Sequence, residues 1–131
     1  MCFNVYTETK ILLEERGKDM PIASDLIRGH TDTIILARLM GGDNYGYEIN
    51  KSIQQKTGGK YELKEATLYT AFRRLEQAGH ISSYWGNEQT GARRRYYSIT
   101  DSGRDSYRAL MVEWNSAKDM IEQLIQVEEN A

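Results

Sequence analysis

The sequence predicts a mainly α fold with a small β-hairpin: a winged helix-turn-helix followed by a long C-terminal dimerisation helix. Three observations predict it. Three helical stretches, each ended by glycine, lie between Ser24 and Gly79. The hydrophobic period then changes from helical to extended for two short runs, Ile81–Trp85 and Arg94–Ile99. Finally, Tyr107, Leu110, Trp114, Ala117, Ile121 and Leu124 stand 3, 4, 3, 4 and 3 residues apart, the a/d spacing of a coiled coil.

Residues 1–23 read as an N-terminal extension. Val5–Arg16 holds a short helical pattern, with Ile11, Leu12 and Leu13 beside Glu14, Glu15 and Arg16, and Gly17-Lys18-Asp19-Met20-Pro21 breaks it. Pro21, the only proline, fits just before or at the start of a helix. Residues 24–100 read as the winged helix-turn-helix domain. Ser24 to Met40 is expected to be one helix: Ser24 caps it, Asp25 suits the first turn, and Gly41-Gly42 stops it. Its apolar residues (Leu26, Ile27, Ile34, Ile35, Leu36, Ala37, Leu39 and Met40) wrap more than one stripe. A surface helix needs only one buried face, so this one is expected to bury two.

Asp43-Asn44 then opens a helix over about Tyr45–Lys56, with Tyr47, Ile49 and Ile53 partly inward and Gly58-Gly59 ending it. The third helix runs over about Glu65–Ala78, burying Leu68, Phe72 and Leu75, with Gly79 at its C′ position. The two strands follow, joined by a glycine-flanked tip over residues 86–92. Residues 101–131 form the dimerisation helix, capped by Thr100 or Asp101 and running to about Val127. At 1.5 Å per residue it is roughly 35–40 Å long, more than the three-helix unit can cover. Its seam is expected to take a second copy of the chain.

Composition removes several function classes. At 131 residues and 40% apolar, the chain is one globular domain rather than a disordered segment. No apolar run approaches the roughly 18–20 residues of a membrane span, so no membrane partner is expected. The single Cys2 cannot form an intrachain disulfide, and a reducing cytoplasm is the expected location. Cys2, His30 and His80 show no metal-ligand spacing, and neither metal nor cofactor is implied. No nucleophile–base pair, paired carboxylates or phosphate loop can be assembled, so no catalytic residues are expected.

The net charge of −2 is unevenly spread. Residues 1–63 carry 8 basic and 9 acidic side chains, residues 64–104 carry 7 and 4, and residues 105–131 carry 2 and 6. A basic middle can attract phosphate even in an acidic chain. There the third helix turns Thr67, Tyr69, Thr70, Arg73, Arg74 and Gln77 away from its apolar face, with Lys64 just ahead of it. Side chains of this kind read base edges in a major groove, which admits one α-helix. Arg93-Arg94-Arg95 on the hairpin suits phosphate contact or entry into a minor groove.

Each feature has a plainer reading. The polar face and the arginines could be solvated, and the seam could pack within one chain. Their arrangement in winged-helix order favours DNA. The alternative class, a protein-interaction module without DNA binding, leaves Thr67–Arg74 and Arg93–Arg95 without a task. A gel shift on the chain's own promoter separates the two.

Ala66-Thr67-Leu68-Tyr69, continuing into Arg74-Leu75-Glu76 and Gly79, resembles the recognition-helix signature of PadR-type transcriptional regulators. Gly91-Ala92-Arg93-Arg94-Arg95-Tyr96-Tyr97 resembles that family's wing, as do Thr100 to Gly103 after it and Tyr45-Gly46-Tyr47-Glu48 before it. The match covers about residues 24–127, in order. It is most similar to the family's short form with one C-terminal helix, the multidrug-binding type, through Asp43-Asn44-Tyr45, Ile81-Ser82-Ser83-Tyr84-Trp85-Gly86 and Trp114.

The resemblance implies a homodimeric repressor on a near-palindromic double-stranded operator, released by a planar aromatic small molecule held between paired tryptophans. Carried over position by position, Trp114 would be the platform. Leu26, Gly29, Thr33, Leu36 and Ala37, with Met111 and Lys118, would line the pore. The pore position four after the tryptophan is acidic in the short form but is Lys118 here, beside Asp119, and Thr33 and Ala37 also depart from it. The aromatic slot is therefore expected without the preference for cationic drugs. The plainer reading of Trp114 is a coiled-coil core residue.

The resemblance begins only after Met20. Glu15 to Asp19 can be encoded with purine-rich AGGA elements just ahead of an ATG, where a bacterial ribosome-binding site would lie. One expectation is therefore a translation start at Met20, with residues 1–19 a decoded leader. The other is a helical arm that packs Ile11–Leu13 on the dimer and sends Lys10 and Arg16 to flanking phosphates.

Overall fold

Two helices stand where the sequence reading expects one. In the computed structural model, which describes residues 23–87 and 91–128, α1 (Ala23–Arg28) and α2 (Thr31–Met40) are separated by Gly29 and His30. Glycine in a helix interior costs about 1 kcal/mol. Beside it, the Thr31 hydroxyl donates to the Arg28 carbonyl at 2.7 Å and the His30 N–H to Ile27 at 2.8 Å, local bonds that end α1. Ser24 lies one residue inside α1 rather than ahead of it. Both readings of residues 1–19 fall outside the described residues.

The second correction is a strand. Asn44–Tyr45 forms β1, which pairs antiparallel with β3 (Arg95–Ile99), and the helix α3 begins only at Gly46 and ends at Lys56. With β2 (Ile81–Trp85) the hairpin becomes a three-stranded sheet in the order β1-β3-β2. Ile81 faces Ile99 and Tyr84 faces Tyr96 in its register. Two residues are too short to show alternation in a sequence, and Gly46 follows at once. Tyr47, expected partly inward, is 70% exposed on the first turn of α3.

The third helix, α4, runs Glu65–Gln77. Its end is a Schellman motif: the His80 N–H reaches the Leu75 carbonyl at 2.9 Å and that of Gly79 reaches Glu76 at 3.0 Å, with Gly79 at φ 78°. The turn between α3 and α4 is fixed by Asn50. Its side-chain amide donates to the Leu63 carbonyl at 2.7 Å and accepts from the Leu63 N–H at 2.8 Å. Leu63 and Tyr61 are thereby anchored in a core shared with Ile35, Leu39, Ile49, Leu68 and Phe72. Phe72 stacks on Tyr97 at 3.9 Å, which seats the sheet against α4.

The last helix, α5, spans Asp101–Ile125, two residues short of the expected end at Val127. The Thr100 hydroxyl accepts from the Gly103 N–H at 3.0 Å and donates to the Gly79 carbonyl at 2.7 Å, tying the helix start to the end of α4. Tyr107 and Leu110 pack on this chain's own core, and Ala117 is half-buried. Farther along, Ile121 is 52% and Leu124 82% exposed. The seam is therefore divided: its first two positions are covered by α5's own packing on α2, and its last positions are bare in the single chain. Among the described residues, no helix is long and apolar enough to cross a membrane.

Candidate nucleic-acid interface

The buried face of α4 is Leu68, Ala71, Phe72 and Leu75. That packing turns Tyr69, Thr70, Arg73, Arg74 and Gln77 outward, with Thr67 half-buried at one edge and Lys64 exposed at the N-cap. The two cations of α4 differ in state. Arg74 binds Asp32 of α2 through two contacts, Nε to Oδ2 at 3.2 Å and Nη2 to Oδ1. This hydrogen-bonded pairing raises the Arg74 pKa. Arg73 has no carboxylate partner among the described residues.

The three wing arginines have separate neighbours. Arg93 donates to the Gly86 carbonyl at 3.2 Å, closing the base of the hairpin. Arg94, expected inside a strand, lies one residue ahead of β3 with its guanidinium 4.8 Å from the Tyr45 ring centre. Arg95 turns back toward α4: it bonds Ser83 Oγ at 2.8 and 3.0 Å and pairs with Glu76 at 3.4 Å.

Behind them Tyr84 stacks on Tyr96 at 5.6 Å, and Tyr45 meets Tyr96 edge-on at 5.4 Å. The Tyr84 hydroxyl donates to Asp43 at 2.7 Å, and this bond raises its pKa. The aromatic row stiffens the sheet that carries the wing.

A groove of about 560 Å³ brings Tyr69 of α4 together with Arg93, Arg94 and Arg95. Tyr45, Tyr47 and Trp85 also line it, and sequence reasoning missed all three as site residues. The signal for Tyr45 was its place in the Asp43-Asn44-Tyr45 and Tyr45-Gly46-Tyr47-Glu48 motifs, and β1 was not legible. Gly46 permits the contact: a Cβ there would stand 3.0 Å from the Tyr69 hydroxyl. Lys64 and Arg73 do not line this groove. Thr67, Thr70 and Arg74 meet Arg28 instead at a smaller cleft of about 340 Å³.

On another part of the head, an apolar cleft of about 630 Å³ runs between α1, α2, the end of α3 and α5. Of the residues expected to line a ligand pore, Leu26, Thr33, Ala37, Met111 and Trp114 meet there. Leu36, Gly29 and Lys118 do not: Leu36 is 0% exposed in the core, Gly29 sits in the α1–α2 break, and Lys118 is exposed on α5. Missed by sequence reasoning were Ile34, Tyr61 and His30, whose ring meets Trp114 edge-on at 4.9 Å. His30 was legible only as a residue next to Gly29. Burial raises the Tyr61 pKa, an effect partly offset by the charge of Arg28.

Comparison with known proteins agrees with this geometry. The Transcriptional regulator PadR-like family model matches residues 35–109. A transcriptional regulator from Clostridium thermocellum is 50% identical, with 80% of this chain and 99% of that one covered and a TM-score of 0.74. A PadR family transcription regulator from Clostridium difficile is 37% identical, over 74% of this chain and 99% of that one, with a TM-score of 0.64. An uncharacterised protein of Lysinibacillus sphaericus is 43% identical over 101 residues, 77% of this chain and 93% of its own.

Proposed function

The chain belongs to the PadR-like family of DNA-binding transcriptional regulators, and from that premise we propose that it is a homodimeric repressor of a near-palindromic operator, released by a planar aromatic ligand. The observation that carries the DNA part is the outward polar face of α4 beside the wing, with Tyr69 of α4 and Arg93, Arg94 and Arg95 lining one groove. A helix held this way presents hydrogen-bonding side chains to a major groove while the wing meets the backbone.

The dimer part rests on α5. Ile121, Leu124 and Ile125 are large apolar side chains left 52–82% exposed on one helix, more than a monomer has reason to show. A second α5 packed along them would bury the free half of the seam. The ligand part rests on the cleft beside Trp114, which offers an aromatic edge and aliphatic walls. Because α1, α2 and α5 all border that cleft, an occupant that prefers another helix arrangement would change the spacing of the two heads.

Fluorescence anisotropy with a labelled promoter duplex tests the reading. Binding should weaken with salt, log K falling by about 0.9 per phosphate contact for each log unit. Absence of binding at low salt would refute the DNA reading and favour the protein-interaction module. For the ligand, a planar aromatic dye should quench Trp114 in a Trp85→Phe background and lower operator affinity. A dye that leaves both unchanged removes the effector role from the cleft.

A further inference from the structure

Two ion pairs hold α4 from opposite flanks. On one flank Arg74 grips Asp32 of α2, and on the other Glu76 accepts from Arg95 of β3 at 3.4 Å. At about 100° per residue, Arg74 and Glu76 point roughly 160° apart around the helix, and Arg73 lies between them. Arg73 shares the stripe farthest from the core with Ala66, Thr70 and Gln77. Ala66 and Thr70 are small, so the helix can approach a duplex closely along that stripe. A guanidinium forked onto a carboxylate has donors in use and its charge compensated. An unpaired one keeps five donors. Of the two cations on α4, Arg73 alone is in that state among the described residues.

We propose that Arg73 reads one guanine in each operator half-site, donating two N–H bonds to O6 and N7, and that Asp32 and Glu76 are positioning residues that fix the rotation of α4. This rests on the DNA-binding reading above. It separates the arginines that reading treats together: Arg73 specifies, whereas Arg74 and Arg95 brace. Bidentate arginine–guanine contact matches the major-groove code, and a reader on a helix locked at two flanks is held within the narrow range that specificity needs.

The test starts from a duplex chosen by the wild-type protein from a random pool, with each guanine replaced in turn by 7-deazaguanine. This change removes the N7 acceptor and keeps base pairing. The wild-type Kd should rise about tenfold at one guanine per half-site, the factor that 1.4 kcal/mol represents. Arg73→Ala should be insensitive at that guanine and remain sensitive to changes elsewhere, while Arg74→Ala, which removes the same brace as Asp32→Asn, should keep part of the wild-type response there. Asp32→Asn should lose part of that response at an unchanged melting temperature, and Asp32→Glu should restore it.

Full sensitivity in Arg73→Ala, or its complete loss in Arg74→Ala, would overturn the assignment of the reader. An unchanged response in Asp32→Asn would overturn the bracing role. If the wild-type protein selects no duplex at all, the DNA-binding reading itself is what fails.

Discussion

Gly103 shows how a single residue joins the wing to the long helix. Glycine is costly inside a helix, so its presence in α5 requires a reason. A Cβ there would stand 2.0 Å from the His80 carbonyl oxygen and 2.8 Å from Ile99 Cγ1, where backbone cannot yield cheaply. Gly103→Ala should therefore destabilise the fold by about 1–3 kcal/mol, the usual cost of overpacking, or more. Gly29→Ala, with nothing within 4 Å of its Cβ, is the matched control. Urea denaturation of both variants checks this, and equal midpoints would contradict it. Gly58 and Gly79 were legible as helix stops because their role is local. The role of Gly103 was not, because it depends on a backbone 23 residues away in sequence, at His80.

At the scale of elements, sequence periodicity located α3, α4, the hairpin and α5 to within two residues. It failed at the α1–α2 break and at β1. In both places the deciding interactions lie outside hydrophobic pattern: a threonine hydroxyl taking a carbonyl, and a two-residue strand recruited by Tyr96 and Tyr97. The wing arginines were legible as a run of charge, but their division of labour was not. Arg95 is drawn back by Glu76 and Ser83, contacts that only the packed sheet reveals. On this account, Arg93→Ala should make the slope of log K against log salt shallower by about 0.9. Arg95→Ala should leave the slope unchanged, since that charge is already compensated. Titrations at several salt concentrations decide this, and equal slope changes for Arg93→Ala and Arg95→Ala would contradict it.

At the scale of the whole molecule, the feature that a single chain leaves unsatisfied is the far half of α5. The seam was legible as a heptad pattern, yet its division was not, because Tyr107 and Leu110 are covered by α2 at a distance no spacing encodes. In the proposed dimer, Ile121→Asp or Leu124→Asp should place paired charges where the two α5 helices meet, at a cost of several kcal/mol if they are buried. Sedimentation should then report monomers that keep their helical content, since neither side chain belongs to the core of the head. A variant that remains dimeric would show that the copies meet elsewhere.

The central claim is that two copies of α4 and the wing read DNA together. Its most direct measurement is selection of bound duplexes from a random library, followed by sequencing. The account predicts two inverted copies of one short motif, their centres about 10 base pairs apart, so that both recognition helices enter the major groove on one face. A single unrepeated motif, or no enrichment over the starting pool, would contradict it.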